Sequence, residues 1–261
     1  MQLNIDYVSD VHLNHYVGKE KEIKTIDELV EQKIKTKINS HLLTIAGDIN
    51  EDISKVHDFL NACAKYYQKV IFIAGNHEYY IPNMKIIRYI NKKASEYDYK
   101  SINKIYKLDK MFKNNKKIVF LDKINGGIYN HNGFLIAGDT LWYCPKNIKQ
   151  WLIDYNLQTD SRFIMSDLSF KNKIIKLHND SINWYNNLPP NLDLIITHIP
   201  PIKNINNSCY YNKIDEYKAP VWIYGHDHIE KDIMIKNNRF VSNPWGYETK
   251  DFKIKTLTLK K

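Results

Sequence analysis

Five short motifs of the chain combine carboxylate, amide and imidazole side chains, the ligand types that bind borderline divalent metal ions in proteins. In chain order they are Asp10-Val11-His12, Gly47-Asp48, Gly75-Asn76-His77-Glu78, Thr197-His198 and Gly225-His226-Asp227-His228. Four or more apolar residues precede most of the motifs, as expected where each follows a buried strand. Polar residues at equivalent ends of successive strands converge in space. Such a site indicates two metal ions and the hydrolysis of a phosphate ester.

The residue types suit that chemistry, which needs a bridging carboxylate and several other nitrogen and oxygen ligands. Asp48 suits the bridge because it follows a glycine at a strand end. Asp10 and His12 alternate, as do His226 and His228, so strand geometry would direct both members of each pair to one side.

Two residues complete the candidate ligand set. Asn76 offers an amide oxygen without adding charge, and His198 precedes Pro200-Pro201, which would stiffen the following loop. Asp-x-His, Gly-Asp and the single histidine are weak signals alone, because Gly-Asp turns and single histidines are common, whereas Gly-Asn-His-Glu and Gly-His-x-His are moderately specific. The combination of all five behind apolar strands is what predicts a dinuclear site.

Together the motifs resemble the signature of the calcineurin-like metallophosphoesterase superfamily: Asp-x-His, Gly-Asp, Gly-Asn-His-Asp/Glu, His and Gly-His-x-His. They span residues 10–228, which is most of the chain. Three segments are similar to a bacterial and phage branch of small single-domain members: Leu141-Trp142, Gly75-Asn76-His77-Glu78-Tyr79-Tyr80 and Asn243-Pro244-Trp245-Gly246-Tyr247. The resemblance implies an α/β fold, a four-layer α/β/β/α sandwich of two mixed β-sheets flanked by helices, forming one domain over residues 1–261.

The resemblance also implies a role for each motif residue. It places Asp10, His12 and His228 on the first metal ion, Asn76, His198 and His226 on the second, and Asp48 as the bridge. We expect in-line attack by a hydroxide that bridges the metals, with His77 as the general acid that protonates the leaving oxygen. The mixed imidazole and carboxylate set favours Mn²⁺, with Fe²⁺, Zn²⁺ or Ni²⁺ as alternatives, over Mg²⁺ or Ca²⁺.

One departure from many phosphatases of this superfamily concerns the second motif. They carry Gly-Asp-x-x-Asp, whose last aspartate orients the catalytic histidine, and Glu51 stands at that spacing here. Glu51 could orient His77 through its longer arm, or it could be a solvated residue at the start of a helix. The arginine-rich motifs of Ser/Thr protein phosphatases are absent, which argues against that role, since the chain has only Arg88, Arg162 and Arg239.

Composition restricts the partners and the compartment. A net charge of +9 favours an anionic partner, such as a small phosphate-ester or nucleotide substrate. The lysines are spread out, so a solvated basic surface explains them as well as a nucleic-acid-binding face does. Three cysteines without a close pair, Cys63, Cys144 and Cys209, indicate a reducing compartment. With no apolar run long enough for a membrane span and no room for a signal peptide, we expect a cytoplasmic protein without a membrane partner.

Two alternative functions stay open. A nuclease or cyclic-nucleotide phosphodiesterase is the alternative among enzymes, because the charge and the aromatic residues allow it. A non-catalytic binding scaffold with the same fold is the alternative outside enzymes. The complete ligand set together with His77 argues against the scaffold.

Periodicity predicts the elements that must position the motifs. Apolar runs predict buried strands at 3–8, 41–46, 70–74, 192–197 and 221–224, and helical spacing predicts helices at 23–38, 56–67, 84–97 and 172–188. Ser54 is the expected cap of the second helix. Strands are also predicted at 118–121, 127–130, 134–137 and, near the C-terminus, 229–235, 240–242 and 252–259, with a hairpin turn at His131-Asn132-Gly133. Residues 98–117 look like a basic surface connection.

The stretch 140–170 is irregular and rich in aromatic residues. A loop of this length is often a lid or a substrate wall, and the alternative is a surface excursion that packs on the sheet edge. His15, near the first motif, and Asp139-Thr140, after a strand, are weaker site candidates. Surface and loop roles are the simpler interpretations for them.

Overall fold

A computed structural model describes residues 1–81, 100–143, 159–164, 170–202, 212, 214–247 and 253–261 of the protein. Its strands are β1 (Gln2–Val8), β2 (Leu42–Ala46), β3 (Lys69–Ile73), β4 (Ile118–Leu121), β5 (Ile128–His131), β6 (Phe134–Asp139), β7 (Leu194–Thr197), β8 (Val221–Tyr224), β9 (Lys231–Ile235), β10 (Asn238–Ser242) and β11 (Lys255–Lys260). Its α-helices are α1 (Ile26–Lys33), α2 (Ile53–Cys63), α3 (Asn76–Tyr79), α4 (Ser101–Phe112), α5 (Thr159–Phe163) and α6 (Phe170–Asn186). Short 3₁₀ turns lie at Leu13–His15, Lys35–Lys37 and Lys123–Asn125. Among these residues, none of the helices has the length and apolarity to cross a membrane.

The strands form two mixed sheets. The first has the order β11-β1-β2-β3-β4, and only the β1–β11 pair is antiparallel. The second has the order β5-β6-β7-β8-β10-β9, in which β6, β7, β8 and β10 run parallel. Because parallel strands end at the same edge of a sheet, the motifs that follow β1, β2, β3, β7 and β8 are brought to shared edges.

The core lies in three layers of apolar side chains. Between the sheets, residues of the first sheet such as Ile5, Ile71 and Ile73 pack with Ile136 and Ile196 of the second. Helices α1, α2 and α4 cover the outer face of the first sheet, and the end of α6 covers the second. The predicted four-layer α/β/β/α arrangement is confirmed.

The prediction of a surface connection over residues 98–117 is wrong, because helix α4 occupies Ser101–Phe112. Its buried residues Ile105, Leu108 and Phe112 have helical spacing, but lysines between them dilute the pattern. The helix predicted at 84–97 lies outside the described residues.

Two helix starts differ from the prediction in their caps. Asp52, rather than Ser54, caps α2, and its side chain accepts a hydrogen bond from the Ser54 backbone N–H at 2.9 Å. Helix α1 begins only after Thr25, which forms a capping box with Glu28, so the predicted helix over 23–38 is too long.

The predicted hairpin turn between β5 and β6 is confirmed. The strands pair His131 with Phe134, and Asn132 and Gly133 between them have φ angles of 52° and 87°. A two-residue hairpin turn with positive φ at both positions favours asparagine followed by glycine, as found here.

Candidate metal centre

The five motifs meet where the carboxyl ends of their strands come together. Main-chain hydrogen bonds tie neighbouring motif loops, from Asp10 N–H to the Gly47 carbonyl at 3.0 Å and from Gly225 N–H to the His198 carbonyl at 3.1 Å. As a result, all seven predicted ligands and the predicted acid are gathered in one site.

Five of the seven predicted ligands have left-handed backbone conformations. Their φ angles are 52° for Asp10, 44° for His12, 57° for Asp48, 75° for His226 and 53° for His228. This conformation costs about 1–2 kcal/mol for a residue other than glycine, and it persists where the surroundings impose it. Strand alternation therefore does not explain the direction of these side chains. The residues lie beyond the strand ends, and the expectation of strand geometry was wrong, although the side chains converge.

Asp10, His12 and His228 form one corner of the site. His228 Nε2 lies 3.1 Å from His12 Nε2 and 3.4 Å from Asp10 Oδ1. Ligand atoms about 2.1 Å from one ion are about 3.0–3.4 Å apart in octahedral or tetrahedral geometry, so these spacings fit a shared cation. Asp10 Oδ2 is buried without a hydrogen-bond partner among the described residues. A buried carboxylate oxygen in that state needs a positive partner.

Asn76, His198 and His226 form the opposite corner. Asn76 Oδ1 lies 2.9 Å from His198 Nε2 and 3.2 Å from His226 Nδ1, and the two ring nitrogens are 3.3 Å apart. His198 Nδ1 is 2.8 Å from the Ala46 carbonyl, to which it donates, so Nε2 is the ring nitrogen left to bind a metal ion. Three potential ligand atoms thus face one another at spacings that fit a shared cation.

Asp48 lies between the two corners. Its Oδ1 is 3.3 Å from His198 Nε2, and its Oδ2 is 3.8 Å from His12 Nε2. One oxygen therefore faces each corner, which is the arrangement of a bridging carboxylate. Burial lowers the pKa of His198, but the Asp48 charge and hydrogen bond outweigh burial and raise it to about 10. The pocket thus favours a positive charge at its centre, and its imidazole, carboxylate and amide donors fit two borderline divalent ions.

His77, the predicted acid, lies beside Asp48 with its side chain 14% exposed. Its Nδ1 is 2.8 Å from Glu51 Oε1, and its Nε2 is 3.7 Å from Asp48 Oδ2. Of the two interpretations of Glu51, the structure shows the contact with His77 rather than a solvated residue. That hydrogen bond lowers the pKa of Glu51. Burial lowers the pKa of His77, but Asp48 and Glu51 outweigh burial and raise it to about 9.

Glu78 joins two of the motif loops, a role that sequence reasoning missed. Its buried carboxylate accepts four backbone N–H hydrogen bonds, from Gly75 at 2.6 Å, Ile49 at 2.7 Å, Asp48 at 3.0 Å and Asn50 at 3.1 Å. The carboxylate of Glu78 thus holds together the loop that carries Asp48 and the loop that carries His77. Its place in the third motif was visible in the sequence, but its partners were not.

Lys104, on helix α4, is a second missed residue. Its Nζ donates to the Glu51 carbonyl at 2.6 Å and also to the Tyr80 carbonyl. Burial lowers its pKa to about 8. In the sequence, Lys104 could have been recognised by its spacing of four residues from the buried Leu108, which puts it on the inward face of the helix.

Tyr247 lies at the rim of the site, half exposed. Its ring centroid is 4.6 Å from those of His12 and His228, and 4.7 Å from that of His15. His15 is exposed and lies 6.3 Å from His12, centroid to centroid, so it belongs to the rim rather than to the ligand set.

Asp139 does not belong to the metal centre. It is fully buried and accepts hydrogen bonds from Lys123 Nζ at 3.1 Å and from Ser181 at 2.6 Å, which makes it a structural ion pair. Of the stretch 140–170, residues 144–158 and 165–169 lie outside the described residues, so the prediction of a lid or substrate wall there stays a prediction.

Comparison with known proteins agrees with this geometry. The family model described as calcineurin-like phosphoesterase matches residues 3–230, which include all five motifs. An uncharacterised protein of Acanthamoeba polyphaga mimivirus is 24% identical, over 92% of this chain and 90% of that protein. The crystal structure of phosphopantetheinyl hydrolase (PptH) from Mycobacterium tuberculosis shares the fold, with a TM-score of 0.66 at 16% identity over 97% of this chain and 95% of that one. The chain belongs to the calcineurin-like phosphoesterase family.

Proposed function

We propose that the protein hydrolyses a small phosphomonoester or phosphodiester, such as a nucleotide, with two divalent metal ions. The observation that carries this proposal is the pair of ligand corners on either side of one carboxylate. Each oxygen of Asp48 faces one corner, and His77 lies beside it. Family membership supports the reaction class.

Two ions would be held by the residues of the two corners. Asp10, His12 and His228 would hold one, Asn76, His198 and His226 the other, and Asp48 both. When bound, such ions neutralise phosphate charge and lower the pKa of water. The donor set favours Mn²⁺, with Fe²⁺, Zn²⁺ or Ni²⁺ in the same class.

His77 is the general acid of the proposal. With Nδ1–H directed at Glu51, the ring is held in place and Nε2 faces the pocket. We assign to Nε2–H a contact with a phosphate oxygen and then proton transfer to the leaving oxygen as its bond to phosphorus breaks. The incoming oxygen comes from water, so no side chain needs to be phosphorylated.

We also propose a cytoplasmic location, which the three sparse cysteines support. Cys63, a free thiol, is buried in the core, as a reduced structural cysteine is expected to be.

An activity screen with matched variants tests the proposal. Protein stripped with EDTA and loaded with Mn²⁺ would be assayed on p-nitrophenyl phosphate, its bis ester, nucleotides, cyclic nucleotides and oligonucleotides. His77→Ala should lower kcat by about 10²–10⁴-fold with metal retained. Asp48→Asn should lose both metal and activity. His57→Ala is the control, because the His57 side chain on α2 is 45% exposed and its hydrogen-bond partners, Asp58 and Asn61, are not motif residues.

Two outcomes would contradict the proposal. A metal-loaded protein that hydrolyses none of these esters would contradict the proposed esterase activity. Near-full turnover in His77→Ala would contradict the role of His77 as general acid. Preference for oligonucleotides with a steep salt dependence would instead identify a nuclease.

A further inference from the structure

Asp160 lies behind Asn76, opposite the pocket that the two corners enclose. Its Oδ1 accepts hydrogen bonds from Asn76 Nδ2 at 2.9 Å and from the Tyr80 hydroxyl at 2.5 Å. Its Oδ2 accepts one from the Tyr143 hydroxyl at 2.7 Å. Asp160 is only 4% exposed and belongs to helix α5, which no sequence motif marks.

The Asn76 amide nitrogen has two hydrogen-bond acceptors on this side. Besides its bond to Asp160, Nδ2 donates to the Tyr80 hydroxyl at 2.8 Å. The amide oxygen is thereby left to face His198 and His226. The hydrogen bonds behind Asn76 thus favour the orientation in which the amide oxygen points inward.

The opposite amide orientation would turn the Asn76 N–H groups toward His198 and His226, and an amide N–H group cannot bind a metal ion. The flip would also place the amide oxygen at the position now 2.9 Å from the Asp160 carboxylate. Two acceptor oxygens would then face each other, and a hydrogen bond to an ionised acceptor would be lost.

We propose that Asp160 is a positioning residue of the metal centre, which holds the Asn76 amide with its oxygen toward the second metal ion. The inference rests on the proposed function in one respect, that a metal ion occupies the Asn76 corner. Helix α5, within the stretch predicted as a lid or substrate wall, then supports the metal site from the side opposite the pocket. Tyr80 and Tyr143 orient the two oxygens of Asp160 for this task.

Metal binding without substrate tests the inference. Apoprotein would be titrated with Mn²⁺ by calorimetry and by electron paramagnetic resonance of the free ion. Wild type should bind two ions. Asp160→Asn keeps the size of the side chain, but its amide can either accept or donate, so the preference for one Asn76 orientation is lost. We expect the first ion to bind as in wild type and the second about 10–100-fold more weakly.

A double-mutant cycle separates positioning from a general structural role. Asn76→Asp offers an oxygen at either position, so orientation no longer matters, and its carboxylate would face that of Asp160. In this background Asp160→Asn should strengthen binding of the second ion rather than weaken it. The inference would be overturned if Asp160→Asn weakened binding of the second ion equally in the wild-type and Asn76→Asp backgrounds. It would also be overturned if Asp160→Asn weakened binding of both ions equally, or if it changed the binding of neither ion.

Two more variants serve as a control and as a replacement for Asp160→Asn. Asp180→Asn, at an exposed position paired with Lys176, should bind both ions as wild type does. If Asp160→Asn fails to fold, Tyr143→Phe removes one hydrogen bond to Asp160 without touching Asn76, and it should weaken only the second ion, by a smaller factor. Unchanged binding in Tyr143→Phe would then count against the inference. A wild type that binds two ions but hydrolyses no ester would overturn the proposed function and leave Asp160 in its role.

Discussion

Glu78 provides the sharpest test of how the motif loops are held together. Its carboxylate accepts N–H bonds from Ile49 and Asn50 at one oxygen and from Asp48 and Gly75 at the other. The substitution Glu78→Gln keeps the shape and one acceptor oxygen but replaces the other oxygen with an NH₂ group. Two buried backbone N–H groups then face a donor.

The expected loss follows from these four bonds. Each buried donor left without an acceptor costs about 1–3 kcal/mol, so two cost about 2–6 kcal/mol. Burial and the neighbouring Asp48 raise the pKa of Glu78, because both disfavour its negative charge. Removing that charge therefore offsets part of the cost of the unpaired N–H groups. At an effective dielectric constant of about 20 this offset is on the order of 1–2 kcal/mol. We therefore expect Glu78→Gln to lower the free energy of unfolding by about 1–4 kcal/mol.

Urea unfolding of the apoprotein, followed by fluorescence of its five tryptophans, measures this difference. The matched control is Glu31→Gln, because the Glu31 side chain is 56% exposed and its ion pair with Lys35 is on the surface. We expect that control to lie within about 0.5 kcal/mol of wild type. If Glu78→Gln were as stable as Glu31→Gln, the four N–H bonds would not hold the loops, and the reasoning would be refuted.

Three further substitutions test other parts of the structure. In Gly225→Ala the added Cβ would lie 2.7 Å from Asp10 Oδ2, so we expect loss of the metal ion that Asp10 would hold, measured by elemental analysis of folded protein. Lys104→Met removes the bond to the Glu51 carbonyl, so kcat should fall about 10–100-fold with metal content unchanged. Burial raises the pKa of Asp122 from 3.8 to about 7, so the folded state holds a proton that the unfolded state releases. This group therefore makes stability fall as pH rises from about 4 to about 7, and urea unfolding at several pH values should show a shallower fall in Asp122→Asn.

Each of these predictions has a control or a contrary result. Gly18→Ala adds a Cβ with only an ordinary contact, 3.6 Å from a side-chain carbon, and should keep both ions. Lys107→Met changes an exposed lysine of the same helix α4 and should keep wild-type kcat. Full metal occupancy in Gly225→Ala, wild-type turnover in Lys104→Met, or the wild-type pH slope in Asp122→Asn would each contradict the stated cause.

Much of the fold could be predicted because its strands are short runs of apolar residues that end in glycine or polar motifs. Strands β2, β3 and β8 were found within one or two residues of their bounds for that reason. Helix α4 was missed because its apolar face is narrow and lysines occupy the positions between. Its inward-facing lysine, Lys104, was missed with it.

The sequence by itself determined the ligand types, their order and the strands that carry them, because these are local patterns of apolar and polar residues. Tertiary structure decided which atoms face one another. The contacts of His77 with Glu51, of Lys104 with Glu51 and of Asn76 with Asp160 join residues 26, 53 and 84 positions apart. Local preferences cannot specify such contacts, because they depend on how the two sheets and their helices pack. The same packing imposes left-handed backbone on ligands such as Asp10 and His12, against their intrinsic preference.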